Sequence, residues 1–325
     1  MKDCLKRFTI LAIAAMFLSA APAAAQDWPT KPVRIIVPFG PGSTPDIVVR
    51  LIADHLQQKH GQPFTVENKP GASGNTGTDA VAKAEPDGST IGISIGGPLA
   101  INTLLFSKLP YNPKTDLVPI TQLVTQPSAL AVNSNVKVND AAELLTTLKR
   151  ETGRFSYASI GNGSLSHLAM EAINQITGTR MVHVPYAGSG PAMIGLLGGQ
   201  VPIMFLPVIN AGPHIAAGKL RGIAVTSRER LTALPELPTI AESGLAGYQS
   251  SQWYGVLAPA GTPQPIVRKI HAETVKALAQ PDVRAKLTDM GMDIVGSTPE
   301  QLSAVMRVEL PKWAKVVKES GAKVE

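Results

Sequence analysis

One stretch near the start of the chain, V-R-I-I-V-P-F-G-P-G-S-T-P-D-I-V-V-R, constrains the fold most. Its apolar run from Val33 to Val37 is short and rich in β-branched residues, which predicts a parallel strand covered on both faces. A loop of Gly and Pro follows. Residues 46–59 then have the pattern of a helix, with Ser43 or Thr44 as its cap. A strand, a loop and a helix in this order are the opening unit of an α/β fold.

The loop between that strand and helix is a candidate anion-binding turn. Gly40 and Gly42 allow the backbone to approach a ligand closely, and the N-terminus of a helix offers unpaired N–H groups to an anion. The same pattern suits an ordinary first turn of an α/β domain, because it contains neither the G-K-[ST] of a P-loop nor a G-x-G-x-x-G motif. The segment alone leaves both interpretations open.

Residues 1–25 have the pattern of a cleavable secretory signal. A basic start is followed by an apolar core and by A-A-A immediately before Gln26. The core is too short for a stable membrane span, and Cys4, the single cysteine, precedes it. We therefore expect a soluble, periplasmic monomer with neither a lipid anchor nor a disulfide.

The charge and length of the mature chain narrow the function classes. Loss of residues 1–25 removes three basic residues and one acidic residue, which lowers the net charge from +6 to +4. The basic residues are scattered and lack interleaved aromatic residues, which argues against nucleic-acid binding. Roughly 300 remaining residues exceed one usual core and predict two lobes.

The order of apolar runs predicts that each lobe is a mainly parallel sheet flanked by helices. The first lobe is assigned to 26–124 and the second to 125–252, and residues 253–325 return to the first. Residues 96–119 lack periodicity and are predicted to be a surface connection. Pro311 is predicted to kink or split the last helix.

Glycine-rich loops recur at predicted strand ends in both lobes. They are N-K-P-G-A-S-G-N at 68–75, G-N-G-S-L-S-H at 161–167 and P-Y-A-G-S-G-P at 185–191. Ligands of open α/β sheets bind outside the carboxyl ends of the strands, so these loops predict a cleft between the lobes.

Motifs along nearly the whole mature chain resemble one known family. They are W-P-T-K-P-V-R-I-I-V-P-F, V-E-N-K-P-G-A-S-G-N, V-A-K-A-E-P-D-G-S-T, L-P-Y-N-P, G-S-L-S-H-L, H-V-P-Y-A-G-S-G-P-A, L-L-G-G-Q-V, G-K-L-R-G-I-A-V-T-S and L-A-P-A-G-T-P. Together they resemble the Bug proteins, the periplasmic solute receptors of tripartite tricarboxylate transporters. The resemblance implies a two-lobed type II periplasmic-binding fold that closes on a small organic carboxylate, a dicarboxylate or an aromatic acid, and delivers it to the membrane permease subunits.

The chain departs from the family pattern at several positions. Gly40 and Ser43 stand where the family has Pro and Gly, and Pro202 and Leu206 stand where acidic residues are common. The missing carboxylate at Leu206, if that position lines the cleft, favours a more apolar ligand.

The resemblance and the loops together predict a ligand site with three main walls. Backbone amides near Gly42 and Ser43 are expected to hold a carboxylate, opposite a clamp formed by Ser164 and the amides around it. Asp46 suits a helix cap better than a ligand contact, because its charge repels an anion. The predicted contacts are Phe39, Gly40, Pro41, Gly42, Ser43, Asp46, Gly74, Asn75, Gly161, Asn162, Gly163, Ser164, His167, Tyr186, Ala187, Gly188 and Pro207.

Enzyme functions are the main alternative to a receptor. An exported hydrolase would use Ser164 and His167, but the sequence N-G-S-L-S lacks the G-x-S-x-G of a nucleophile elbow. A nicotinamide enzyme is disfavoured by the missing acidic fingerprint. The six histidines form no metal-binding motif, so we predict no metal, no cofactor and no catalytic residue.

Overall fold

The computed structural model describes residues 28–186 and 188–323. The strands are β1 Val33–Val37, β2 Phe64–Asn68, β3 Thr90–Ile95, β4 Leu117–Asn133, β5 Ser156–Ser159, β6 Val182–Pro185, β7 Ile203–Pro207, β8 Leu220–Val225, β9 Ser251–Pro259 and β10 Asp293–Ile294. The α-helices are α1 Thr44–His60, α2 Asn75–Ala82, α3 Asn102–Leu105, α4 Ala141–Arg150, α5 Leu165–Thr177, α6 Ser189–Leu197, α7 Val208–Ala216, α8 Gln264–Leu278, α9 Pro281–Asp289 and α10 Pro299–Ser320. The predicted signal segment and Ala187 lie outside the described residues.

The first lobe is built on the strand order β2-β1-β3-β9-β4. β1 pairs in parallel with β2 and β3, as its continuous apolar run predicts, whereas β9 is antiparallel to β3 and β4. α1 buries Val48, Ile52 and Leu56 in a core shared with Ile35 and Ile93. Burial of each such side chain stabilises the folded state by about 1.5–3 kcal/mol. This packing holds α1, and so its first turn, in place against the sheet.

The second lobe continues the sheet in the order β4-β7-β5-β6, and β8 also pairs with β4. β5 is parallel to β6 and β7, while β7 and β8 are antiparallel to β4. Two apolar clusters pack in this lobe. One contains Tyr157, Leu168 and Phe205, and the other contains Leu196 and Met204.

Strand β4 passes from one lobe to the other. Its N-terminal part pairs with β9 as far as Pro127, and from Ser128 onward it pairs with β7 and β8. The sequence has two short apolar runs here, at 120–124 and 129–132, which predict separate elements, and the structure joins them into one strand of 17 residues. Pro119 and Pro127 interrupted the apolar pattern, and the register of β4 against β9 shifts just after Pro119. The lobe boundaries at residues 124 and 253 stay predictions.

Helix α10 contacts both lobes. Leu302 near its start packs with Trp253, whereas Trp313 lies in the core of the second lobe. Pro311 lies inside this helix, which runs unbroken from Pro299 to Ser320, so the predicted split does not occur. Among the described residues no helix is long and apolar enough to cross a membrane.

The prediction that residues 96–119 form a surface connection is wrong for residues 97–105, which are helical. Gly97–Ile101 forms a π-helical turn that continues into α3, and Leu99 and Leu105 are buried. Tyr111 is buried too, and its hydroxyl lies 2.8 Å from the carbonyl oxygen of Pro98. Leu99 and Tyr111 pack with Trp253, whereas Leu105 joins the apolar cluster of Tyr157 and Leu168, so the segment contributes to the cores of both lobes.

Candidate ligand-binding cleft

A cavity of about 530 Å³ lies between the lobes, at the N-termini of several helices. Its walls come from the first lobe, from the strands that cross between the lobes, and from the second lobe. This volume is in the range of small-molecule sites. A second void of about 10 Å³, inside the apolar core of the second lobe, is too small for such a ligand.

The cavity wall is apolar with uncharged polar groups. The apolar lining residues are Phe39, Pro45, Ile47, Ile95, Ile160, Leu165, Ala169, Phe205, Leu206, Pro207, Ile209 and Met290. The polar lining residues are Ser43, Thr44, Gln126, Ser128, Ser166, Ser189, Asn210, Thr226, Ser250, Gln252 and Tyr254. Among the lining residues that the structure describes, none carries an ionised side chain, so any charge on a ligand must be met by neutral donors and helix dipoles.

Four helices begin at this cavity. The first turn of α1 lines it from the first lobe, and the first turns of α5, α6 and α7 line it from the second. The initial N–H groups of an α-helix have no acceptor within the helix, and the helix dipole places partial positive charge there. The cavity is therefore suited to an anion even though its described lining includes no lysine or arginine.

The start of α1 is organised by a buried carboxylate. Asp46 is 3% exposed and accepts hydrogen bonds from Gly42 N (2.9 Å), Arg50 Nε (3.0 Å) and Asn68 Nδ2 (2.9 Å). Burial opposes its ionisation, but these hydrogen bonds outweigh burial and lower the pKa of Asp46. Asp46 thus shapes the loop and lies outside the cavity lining, and its place among the ligand contacts stays a prediction.

The amide donors predicted at the start of α1 are corrected. The N–H of Gly42 is donated to Asp46, and the N–H of Ser43 is donated to Gly40 O at 3.2 Å. In the first helical turn, Thr44 and Asp46 keep N–H groups without acceptors in the helix, while Pro45 has none. Of these two residues Thr44 lines the cavity and Asp46 does not, so the N–H of Thr44 is the donor that a ligand carboxylate would meet.

The loop before α5 is held by its own hydrogen bonds. Ser164 caps the helix by accepting from His167 N (3.4 Å), and its hydroxyl donates to Gly161 O (2.7 Å). The N–H of Gly163 donates to His167 Nδ1 at 3.0 Å. The cavity is lined instead by Ser166 and by Ile160 and Leu165. Ser164 therefore caps the helix, and Ser166 joins the same set of hydrogen bonds by accepting from Ile160 N at 3.2 Å and lying 3.1 Å from Ser164 Oγ. The clamp at Ser164 stays a prediction.

His167 belongs to a buried aromatic stack beneath this loop. Its ring lies 3.8 Å from that of His183, nearly parallel, and Tyr157 stacks on His183 at 5.0 Å. Burial lowers the pKa of both histidines to about 4, and for His167 the neighbouring His183 adds to the effect. Both rings are neutral near pH 7. Because His167 Nδ1 accepts from an amide rather than from Ser164, these two residues form no nucleophile pair.

Of the other predicted contacts, some line the cavity and some do not. Phe39 and Pro207 line the cavity, as do Gly42 and Ser43. Asn75 is buried in the first lobe, where its Oδ1 accepts from Asn102 Nδ2 at 2.7 Å. The residues outside the lining are Gly40, Pro41, Gly74, Asn75, Gly161, Asn162, Gly163, Tyr186 and Gly188. Sequence reasoning thus located the two loops better than the atoms that face the cavity.

The residues missed from the sequence lie mainly on the strands that cross between the lobes and in the first helical turns. Gln126 and Ser250 are buried polar side chains on the crossing segments, and both line the cavity. Ser166 and Asn210 lie near the starts of α5 and α7. The available signal was a glutamine within the apolar run of β4, where a polar side chain needs a partner.

Comparison with known proteins identifies the family. A family profile described as the tripartite tricarboxylate transporter family receptor matches residues 48–322. The chain belongs to this receptor family. It is 36% identical over 321 residues to the protein BugT of Bordetella pertussis, covering 97% of this chain and 98% of BugT.

Two solved structures extend the comparison. R. palustris Rpa4515 with adipate has a TM-score of 0.81 and 34% identity, covering 92% of this chain and all of that one. MatC from Rhodopseudomonas palustris with bound malate has a TM-score of 0.76 and 34% identity, and the match covers 89% of this chain and all of MatC. The predicted resemblance and the two-lobed α/β fold are confirmed. The chain is a solute-binding receptor of this family and not an enzyme, so the hydrolase alternative is rejected.

Proposed function

We propose that this receptor captures a small organic carboxylate in the cleft and delivers it to the membrane permease subunits of a tripartite tricarboxylate transporter. The observation that carries this proposal is the meeting of four helix N-termini at a cavity whose described lining has no ionised side chain. Such a site stabilises a negative charge through N–H groups and dipoles. The relatives with adipate and with malate support the same ligand class.

The two lobes contribute different parts of this site. α1 presents its start from the first lobe, and α5, α6 and α7 present theirs from the second. A ligand that contacts both walls binds the closed arrangement better than an open one and shifts the population toward it. We assign 26–124 and 253–325 mainly to the first lobe and 125–252 to the second, with closure about the crossing strands.

The location and assembly of the protein follow from the same proposal. The signal pattern of residues 1–25 would send the chain to the periplasm, where it would act as a monomer. Transfer of the ligand to a permease requires that the loaded, closed receptor be the form that the membrane subunits recognise.

A thermal-shift screen tests the proposed function. Ligand-stripped protein is heated with a library of mono-, di- and aromatic carboxylates, with the matching alcohols and amides as controls. At 100 times its dissociation constant a ligand stabilises the folded state by about 2.7 kcal/mol, which gives a clear rise in melting temperature. Uniform melting temperatures across the carboxylates would overturn the proposal, and a shift with the amides alone would place the ligand in another class.

A further inference from the structure

Three buried polar atoms at the cavity have no hydrogen-bond partner within the described part of the chain. They are Ser43 Oγ, Gln126 Nε2 and Ser250 Oγ. Gln126 is 4% exposed and Ser250 is 2% exposed. A buried donor left unpaired costs about 1–3 kcal/mol, so native structures rarely keep one without a reason. Three around one cavity indicate that a ligand completes them.

The orientation of the Gln126 amide is set by its neighbour. The hydroxyl of Tyr254 donates to Gln126 Oε1 at 2.7 Å, across the pairing of β4 with β9. Tyr254 is buried, and burial raises its pKa, so its hydroxyl keeps the proton that it donates. With the oxygen occupied, the NH2 group of Gln126 is left as a donor only.

Ser250 lies beside the start of β9 and is held by its backbone. Its N–H donates to Thr226 O at 3.1 Å, and the Thr226 hydroxyl in turn accepts from Ser128 N at 2.8 Å. The Tyr248 hydroxyl in the same segment donates to Ala169 O at 2.9 Å, so it has no proton to donate to Ser250 Oγ. Gln126 and Ser250 thus lie on adjoining segments where the chain crosses between the lobes.

We propose that Gln126 and Ser250 form a neutral hydrogen-bonding subsite that binds a second oxygen of the ligand, separate from the carboxylate at the helix N-termini. This inference rests on the proposed function and names the ligand class more closely: carboxylates that carry another acceptor oxygen on an apolar skeleton. A simple monocarboxylate would leave the Gln126 donors buried and unpaired. A site built to hydrogen-bond an oxygen discriminates strongly against analogues that lack it. Gln126 is therefore a specificity-determining residue, and Tyr254 is its positioning residue.

Calorimetry with matched acids tests this subsite. The probes are adipate against hexanoate and terephthalate against benzoate, because each pair keeps its skeleton and differs by one carboxylate. The wild-type protein is expected to prefer the diacid in at least one pair by about tenfold, the equivalent of roughly 1.4 kcal/mol. Gln126→Leu is expected to lose that preference through weaker diacid binding, with the monoacid unchanged or slightly tighter.

Three further variants separate a ligand role from a structural one. Ser250→Ala is expected to weaken diacid binding by a few fold, and Tyr254→Phe to reduce the diacid preference by freeing the amide to rotate. Gln122→Leu is the control, since Gln122 is buried on the same strand and lies outside the described cavity lining. It should keep the wild-type preference. Melting temperatures of all variants verify that they fold.

Each outcome decides the inference. A Gln126→Leu protein with the wild-type diacid preference overturns the subsite while leaving the carboxylate receptor intact. If Gln126→Leu weakens binding of the diacid and of its monoacid equally, Gln126 contacts the carboxylate that both share, and the separate subsite is also overturned. Wild-type protein that prefers no diacid, or binds none of the four acids, excludes the ligand class named here, whereas the wider library screen decides the proposed function on its own.

Discussion

At the scale of single residues, helix capping decides which atoms remain available to a ligand. The carboxylate of Asp46 occupies the N–H of Gly42, and the hydroxyl of Ser164 occupies the N–H of His167. The sequence indicated a capping role for both residues, because each stands at the start of a helix after a glycine-rich loop. The N–H of Thr44 in the first turn of α1 remains without an acceptor in the helix, and Thr44 lines the cavity.

Ser164 and Ser166 form a matched pair for testing this distinction. Ser164→Ala removes a helix cap and is expected to lower the free energy of unfolding by about 1 kcal/mol. Ser166→Ala removes a hydroxyl that lines the cavity and also accepts from Ile160 N at 3.2 Å, so it is expected to weaken carboxylate binding by about 1 kcal/mol and to lower stability less than Ser164→Ala does. Urea denaturation and calorimetry on both variants measure the two effects. Normal stability with lost binding in Ser164→Ala would return Ser164 to the ligand contacts.

Local sequence signals predicted some cavity residues and had no means of predicting others. Phe39 and Pro207 were found because they stand at strand ends in recognisable loops. Gln126 was missed because its meaning depends on Tyr254, which is 128 positions away and reaches it only through strand pairing. Whether a buried polar side chain has a hydrogen-bond partner depends on the three-dimensional structure, and the pattern of apolar residues in the sequence does not predict it.

At the scale of elements, the sequence predicted those helices and strands that a local pattern defines and missed those that depend on pairing with distant parts of the chain. β1 and α1 follow from a continuous apolar run and a helical pattern, and Gly178 ends α5 in a left-handed conformation as its position predicts. β4 was divided in two because prolines broke its pattern, although pairing on both sides extends it from Leu117 to Asn133. Packing, and not propensity, decided that element.

The stack between β5, α5 and β6 predicts a pH dependence. His167 and His183 have pKa values lowered to about 4, below the usual 6.5, so unfolding between these values takes up protons. The stability that they contribute is present above about pH 6.5 and is lost as the pH falls toward 4. Tyr157 and Glu171 also face this stack; the Tyr157 hydroxyl donates to Glu171 Oε1 at 2.5 Å.

His183→Phe isolates this contribution. The variant keeps an aromatic ring in the stack, loses one titrating group, and gives up the contact of His183 Nε2 with Ser159 Oγ at 2.6 Å. Denaturation at a series of pH values should show about one proton fewer taken up on unfolding near pH 5 than in the wild-type protein. An unchanged pH slope would contradict the buried, neutral state of these rings.

At the scale of the whole molecule, the mouth of the cleft carries exposed apolar side chains on both lobes. Ile47 is 36% exposed on the first lobe, and Ile160 and Ile209 are 43% and 37% exposed on the second. All three line the cavity. The lobes remain connected through β4, β9 and α10, so relative motion about these connections would bring the isoleucines toward one another and toward the ligand. Their burial then adds to the free energy that favours the closed form.

Ile160→Asn tests this role in closure, and Ile176→Asn is its control. Ile176 is 59% exposed on α5 and lies outside the described lining of the cleft. Loss of apolar burial at Ile160 is expected to weaken binding of a carboxylate from the screen by about 1 kcal/mol, or roughly fivefold. Neither change should much alter the melting temperature without ligand, since both side chains are exposed in the ligand-free protein.

Small-angle scattering measures closure directly. The radius of gyration should decrease with ligand in the wild-type and Ile176→Asn proteins, and should decrease less in Ile160→Asn at the same ligand concentration. Equal affinities and equal radii in all three would mean that the cleft binds its ligand without bringing these surfaces together.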